Sequence, residues 1–446
     1  MALLGSRSTS GSTVGPDLGT PEWRRRFELR LRSQARLARL GSFFSVSPEA
    51  PRFIEGNRAV FLPDGRDQWR WMLAAIEAAQ SRIDLEMYIV SPDSCGVAVR
   101  DALVRAAARG VAVRVLWDSV GSSDAGAEFF EPIREAGGAV AEFNPVAPWR
   151  LRVSRIGKVQ AWEPNTRDHR KLLLVDVPEA WSRRSSTDEG DEAVDPSRRS
   201  SLAILGGRNL AEEYLARPFG DGQWRDCGAV LFGPVVGELA KLFDSMWFHA
   251  AGDDRHAPPF EVAVAGDAVI MPIGSQPGFF NLLQWSLAHL AWSTTRELRI
   301  SCAYFIPSRR WQRALRAVAK RARCLLLLPK ESDLPIVDAA SRHFWGKLLS
   351  AGVAIHQHVR EILHEKTLIY DGTVTVIGSS NLDPRSFRLN YELSILVVCD
   401  RFSRAAVAHH EESLQHAEPF TYAMWRERSL VQRLVDWFWS LFRRQL

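Results

Sequence analysis

Cysteine is scarce in this chain, and long apolar runs are missing. The five cysteines (Cys95, Cys227, Cys302, Cys324, Cys399) are scattered, without the close pairs that structural metal sites use. That pattern argues against a disulfide scaffold and reads as buried thiols in a reducing compartment. Nowhere does the sequence approach the ~18–20 consecutive apolar residues of a membrane-spanning helix. The opening MALLGSRSTSGST lacks the apolar core of a secretory signal. No basic stretch is interleaved with aromatics as a single-strand nucleic-acid groove requires, so no nucleic acid is expected as a partner.

What is present is a globular composition. Of 446 residues, 46% are hydrophobic and 24% charged, enough for one large core or two medium ones. The net charge of +5, mostly from arginine, favours anionic partners such as phospholipid headgroups or phosphorylated substrates.

An internal repeat decides the expected architecture. IDLEMYIV (Ile83–Val90) is echoed by LRISCAYFIP (Leu298–Pro307), and AVRVLWD (Ala112–Asp118) by CLLLLPK (Cys324–Lys330). FFEPIREAGGAVAEFN, from Phe129, matches FWGKLLSAGVAIHQH, from Phe344. In step with these, HRKLLLVD (His169–Asp176) returns as HEKTLIYD (His364–Asp371). Strands alternate with helical patterns, so the fold class is α/β. A polar segment, residues 178–200, interrupts the first copy as a disordered surface insertion. A Gly/Asp/Pro linker near His249–Pro259 separates the copies.

The repeated stretch carries chemistry. Alternation places His169 and Lys171 on one strand face with Leu173 behind them, and His364 and Lys366 sit equivalently. Two such pairs converging about a pseudo-two-fold axis supply a nucleophilic imidazole, an acidic imidazole and two ammonium groups. That set suits a phosphodiester, and it needs neither cofactor nor metal because the charge stabilisation is already organic. Each copy continues into a small-residue turn with an asparagine, GGRN (Gly206–Asn209) and GSSN (Gly378–Asn381). Farther on, each offers a carboxylate, Asp226 and Glu392, of the kind that fixes a histidine's tautomer.

The paired H-x-K-x4-D motifs with their Gly/Ser turn and asparagine resemble the phospholipase D superfamily, and within it bacterial cardiolipin synthases of a branch without transmembrane helices. The resemblance runs from about Phe53 to Val398. It implies two tandem phospholipase D-like repeats, each a mixed sheet flanked by helices, related by pseudo-two-fold symmetry. The boundaries expected are 51–255 and 256–415, after a basic extension (1–50) and before an amphipathic C-terminal helix (416–446). It further implies a catalytic set of His169, Lys171, Asp176, His364, Lys366 and Asp371, with the aspartates mainly structural. Asn209, Asn381, Gly207 and Ser379 become phosphate-binding, and Asp226 and Glu392 orient the histidines, Asp226 being the expected partner of His169. The implied activity joins two phosphatidylglycerol molecules into cardiolipin. Glu86, Tyr88 and, at the equivalent place, Tyr304 are candidate headgroup contacts.

Two terminal segments suit an enzyme on anionic phospholipids at the cytoplasmic face of the cell membrane. On a wheel, Leu430, Val431, Leu434, Val435, Trp437, Phe438, Leu441 and Phe442 form one apolar face, opposite Gln432, Arg433, Asp436, Ser440, Arg443 and Arg444. The arginine-rich TPEWRRRFELRLRSQARLARL has a Thr20 cap and a stripe of Trp23, Phe27, Leu31 and Ala38.

Overall fold

Strand Lys171–Pro178 shows how the sequence builds the sheet. Leu172 and Leu174 enter one core, while Leu173, Val175 and Val177 enter another, as the two-residue period of a strand dictates. A strand buried on both faces reads as an unbroken apolar run. The computed structural model describes residues 17–40 (side chains of 36–40 excepted), 50–146, 163, 165–179, 181, 199–215, 224–252, 257–278 and 281–445. Most of the expected insertion, and Ala38 of the N-terminal stripe, lie outside the described side chains.

The first half contributes β1 (Ile54–Leu62), β2 (Arg82–Met87), β3 (Ala112–Asp118), β4 (Ala139–Phe143), β5 (Lys171–Pro178), β6 (Arg199–Gly206), β7 (Trp224–Arg225) and β8 (Gly228–Phe232). The second contributes β9 (Ala268–Ser275), β10 (Glu297–Cys302), β11 (Arg323–Pro329), β12 (Ala354–His358), β13 (Ile362–Leu363), β14 (Lys366–Tyr370), β15 (Val374–Gly378), β16 (Glu392–Val398) and β17 (Ala417–Phe420). The order β1-β8-β6-β5-β2-β3-β4 in one half is repeated as β9-β16-β15-β14-β10-β11-β12 in the other. In each, three parallel strands joined through helices are followed by antiparallel ones, so both sheets are mixed.

The two sheets are also hydrogen-bonded edge to edge, giving one fifteen-stranded sheet. The seam is the antiparallel β1–β9 pair, with Ile54 opposite Ile270 and Asn57 opposite Ala268. Buried Asn57 secures it, donating to the Ile54 (2.7 Å) and Ala268 (3.3 Å) carbonyls and accepting the Val235 amide (2.8 Å). Behind the seam the halves share a core, where Leu172, Leu174 and Leu231 meet Ile369, Ile377 and Ile395.

Asp176 and Asp371 close the far ends of β5 and β14. Asp176 accepts from Ser81 N (3.0 Å), Ser81 Oγ (2.7 Å) and Arg82 N (2.7 Å). Asp371 accepts from the Thr295 (2.9 Å), Arg296 (2.7 Å) and Glu297 (2.9 Å) amides. Each aspartate stands five positions beyond its lysine, roughly 17 Å of extended chain. The mainly structural part expected of them fits this placement: they anchor β2 and β10. Asp371 has a φ of 53°, which Asn also tolerates. Asp371→Asn then isolates the hydrogen-bonding loss, and a destabilisation of about 1–3 kcal/mol is expected in urea titration. Turnover per folded molecule should change less than about threefold, since no reacting atom is nearby; a large kcat loss in fully folded protein would restore a catalytic role.

The N-terminal segment is not a free extension. Helix Pro21–Leu40 buries Trp23, Phe27 and Leu31 against the second half's Leu283 and Leu287, and Phe27 stacks on His289. Several of its arginines pair with acids: Arg26 with Glu22, Arg32 with Glu28, Arg24 with Glu55. Helix Leu430–Leu441 docks by its polar edge. Buried Asp436 meets Arg342 (3.3 Å) and Arg428, and Ser440 faces inward too. The apolar face points outward, with Leu430 75%, Leu434 63%, Trp437 51% and Leu441 57% exposed. Among the described residues no helix is long and apolar enough to cross a membrane.

Candidate active site

The two H-x-K stretches arrive at one place because each is tied to the other half. The His169 amide donates to the Tyr391 carbonyl (2.9 Å), and the Tyr391 amide to the Arg167 carbonyl (2.9 Å). Symmetrically, β13 pairs in parallel with β7, and the His364 amide donates to the Arg225 carbonyl (2.7 Å). These two short ladders place each histidine against the carboxylate that follows its pairing partner.

The consequence is a crossed arrangement. His169 Nδ1 lies 3.0 Å and 3.1 Å from the two oxygens of Glu392, and His364 Nδ1 lies 2.7 Å from Asp226 Oδ2. The expected partnership of His169 with Asp226 is thus wrong: each histidine takes its carboxylate from the opposite repeat. In the tautomer whose Nδ1–H is held by the carboxylate, Nε2 keeps its lone pair for phosphorus or for a proton.

Lys171 donates to the His169 carbonyl (2.7 Å), and its ammonium sits 4.9 Å from the Tyr88 ring centroid. Lys366 donates to the His364 carbonyl and lies 3.7 Å from Asp226. Burial pushes Lys171 down to about 7, partly offset by Glu392. Burial, with Lys366, pushes His364 down to about 4, and burial with the two lysines holds His169 well below the usual imidazole range. Burial raises Glu392 to about 7. Both imidazoles are therefore neutral at rest. An anion brought between them would favour the protonated form of either imidazole.

Gly207 and Ser379 occupy the same place in the two repeats, and both sit against a carboxylate. Ser379 Oγ donates to Glu392. A Cβ at Gly207 would overlap both carboxylate oxygens of Asp226. In these places they shape and hold the two carboxylates, Asp226 and Glu392. Asn209 and Asn381 also serve the turn, their side-chain oxygens accepting the Ile89 and Tyr304 amides (3.3 Å each). The Asn209 amide donates to the Tyr214 hydroxyl (2.9 Å), whereas that of Asn381 has no partner among the described residues.

These asparagines also fix the register of the headgroup candidates. Ile89, not Tyr88, is the counterpart of Tyr304, so the expected equivalence is off by one residue. Tyr88 stands edge-on to His169 at 4.7 Å, while Tyr304 is 6.3 Å from His364 and donates to Asp333 (2.7 Å). Glu86 is fully buried, 3.7 Å from Arg170. It is support for the site and no headgroup contact.

Two aromatic residues beside His364 escaped the sequence reading: Trp224 at 5.0 Å and Tyr214 at 5.5 Å. Their signal was adjacency, Trp224 standing two residues before Asp226 and Tyr214 five after Asn209. Beneath the site Cys227, Glu365 and His409 offer ligand atoms within 4.8 Å of one another. All three are already committed, His409 to Glu365 (2.7 Å) and the thiol to the Thr367 hydroxyl (3.0 Å), with Arg225 3.5 Å from Glu365. They form a hydrogen-bonded floor for the His364 loop.

A duplicated α/β repeat whose paired histidines and lysines meet between the halves defines a phospholipase D-like protein. The chain matches the family model described as cardiolipin synthase, PLD-like domain, over residues 72–247 and 287–416, and it belongs to that family. It is 28% identical to the cardiolipin synthase of Geobacillus thermodenitrificans (strain NG80-2) over 386 residues, 85% of this chain and 70% of that one. With the major cardiolipin synthase of Bacillus subtilis (strain 168) it shares 29% identity over 394 residues, 86% and 74% of the two chains. Its fold is similar to the crystal structure of phosphatidylserine synthase from Haemophilus influenzae Rd KW20, with a TM-score of 0.63 at 14% identity, covering 95% of this chain and all of the other.

Proposed function

We propose that the protein is a phosphatidyltransferase that condenses two phosphatidylglycerol molecules into cardiolipin and glycerol. The observation that carries this reading is the crossed pair of histidine–carboxylate dyads flanked by two buried lysines. Nε2 of one histidine attacks phosphorus, the bond from phosphorus to the glycerol oxygen breaks, and the other histidine protonates the departing alkoxide. The lysines neutralise the phosphoryl oxygens, and the Asn381 amide donates to them. In the second step the hydroxyl of another phosphatidylglycerol gives its proton to that second histidine and bonds to phosphorus, releasing the first. Water in its place gives phosphatidic acid. Purified protein on phosphatidylglycerol vesicles should form cardiolipin and glycerol in equal amounts; phosphatidic acid as sole product would make it a hydrolase.

The substrates are anionic lipids, and we place the enzyme as a peripheral protein on the cytoplasmic face of the membrane. The outward apolar face of Leu430–Leu441 supports this, with Trp and Phe on one side and arginines at its flanks. Burying one such side chain contributes about 1.5–3 kcal/mol. Leu434→Glu combined with Leu441→Glu should therefore weaken binding to phosphatidylglycerol vesicles at least about tenfold in flotation. Both positions are exposed, so the melting temperature should hold. Unchanged binding would return the helix to a packing role.

A further inference from the structure

If the reaction is the one proposed above, the site must hold two phosphates at once. One is under attack, and the other belongs to the accepting lipid, three carbons from the hydroxyl that attacks. The two lysines serve the first. The second needs a further cation near a histidine, free of any acid that would neutralise it.

Arg385 fits that description. It lies in the short helix Pro384–Arg388, four residues past Asn381, with Asp383 as the cap. Its guanidinium donates to Asn165 Oδ1 (3.1 Å), to the Asn165 carbonyl (3.4 Å) and to the Gln445 carbonyl (3.5 Å), all neutral acceptors. Asn165 leads directly into His169 on the same loop. The other arginines of that loop are matched by acids: Arg167 faces Asp118 at 3.4 Å and Arg170 faces Glu86 at 3.7 Å. Arg385 forms no ion pair among the described residues. Its positive charge helps hold His169 below its ordinary range and partly offsets the upward push that burial gives Tyr88.

The feature breaks the pseudo-symmetry. Counting from the matched asparagines, the residue that corresponds to Arg385 in the first repeat is Glu213. The His364 side carries Asp333 with its Tyr304 hydroxyl, and the rings of Trp224 and Tyr214. A duplicated site that bound two identical lipids in identical ways would have no use for one unmatched guanidinium. A site with distinct donor and acceptor places does.

We propose that Arg385 binds the phosphate of the acceptor lipid and so selects a phosphate-bearing alcohol over a neutral one. The guanidinium fork suits two phosphate oxygens and would exchange its neutral carbonyl partners for charge-assisted bonds. Arg385 touches no reacting atom; its part is to choose the second substrate.

Two reactions on the same phosphatidylglycerol vesicles separate acceptor choice from donor activation. Cardiolipin formation uses a phosphate-bearing acceptor, and incorporation of labelled glycerol into phosphatidylglycerol uses a neutral one. Arg385→Gln can still donate to Asn165 but carries no charge. It should lower cardiolipin formation about 10–100-fold, chiefly by raising the KM for acceptor phosphatidylglycerol, while glycerol incorporation falls less than threefold. Arg385→Lys, which keeps charge without the fork, should lie between. An equal fall in both reactions would assign Arg385 to the reacting phosphate or to the fold and overturn the proposal, as would no fall in either. A wild-type protein that incorporates no glycerol and makes only phosphatidic acid would remove the transferase reading itself, and the acceptor place with it.

Discussion

Alanine at either His169 or His364 should lower cardiolipin formation by at least about 10⁴-fold, and alanine at both should cost no more than one. Each histidine is needed in both steps, one bonded to phosphorus and the other moving the proton, so the two losses do not add. The imidazoles are distinguishable with a phosphatidyl ester of p-nitrophenol, whose leaving group needs no proton. The variant lacking the acid should then release a burst of p-nitrophenolate and retain a phosphatidyl group. The variant lacking the nucleophile should release none. Turnover within tenfold of wild type in either single variant would move the reaction away from these residues.

The carboxylates should follow the histidines, but crosswise. Asp226→Asn and Glu392→Gln are each expected to lower turnover about 10²–10⁴-fold, because an amide no longer holds Nδ1–H or stabilises the imidazolium. In the p-nitrophenol assay, Asp226→Asn should behave like His364→Ala, and Glu392→Gln like His169→Ala. Those pairings rest on contacts of 2.7 Å and 3.0 Å that run between the repeats. If Asp226→Asn instead matched His169→Ala, the partnership would lie within one repeat, and the crossed geometry would not survive.

The contrast between what the sequence disclosed and what it hid follows from range. Leu172–Val175, the His-x-Lys spacing and the order of strands are local patterns, and they were readable because strand and helix periods act over a few residues. Partner choice for His169 was not, since it depends on the His169 loop pairing with Tyr391, more than two hundred residues away. The small residues at 207 and 379 announced a tight turn, but only packing reveals that the tightness accommodates Asp226 and Glu392. The off-by-one reading of Tyr304 arose because register belongs to the ladder, which aligned strings cannot display. The C-terminal wheel correctly separated its two faces, yet it could not say that Asp436 would be the docking edge.

The crossed dyads also fix a stoichiometry. Two complete motifs invite counting two active sites, but neither His169 nor His364 has its carboxylate within its own repeat. The pair is one device with two unlike ends, and the mechanism proposed above then loads a single phosphatidyl group per chain. Rapid mixing with excess substrate should release one equivalent of glycerol per chain before steady turnover, and never two. The same sharing means that a repeat expressed by itself would hold a histidine with nothing to orient it.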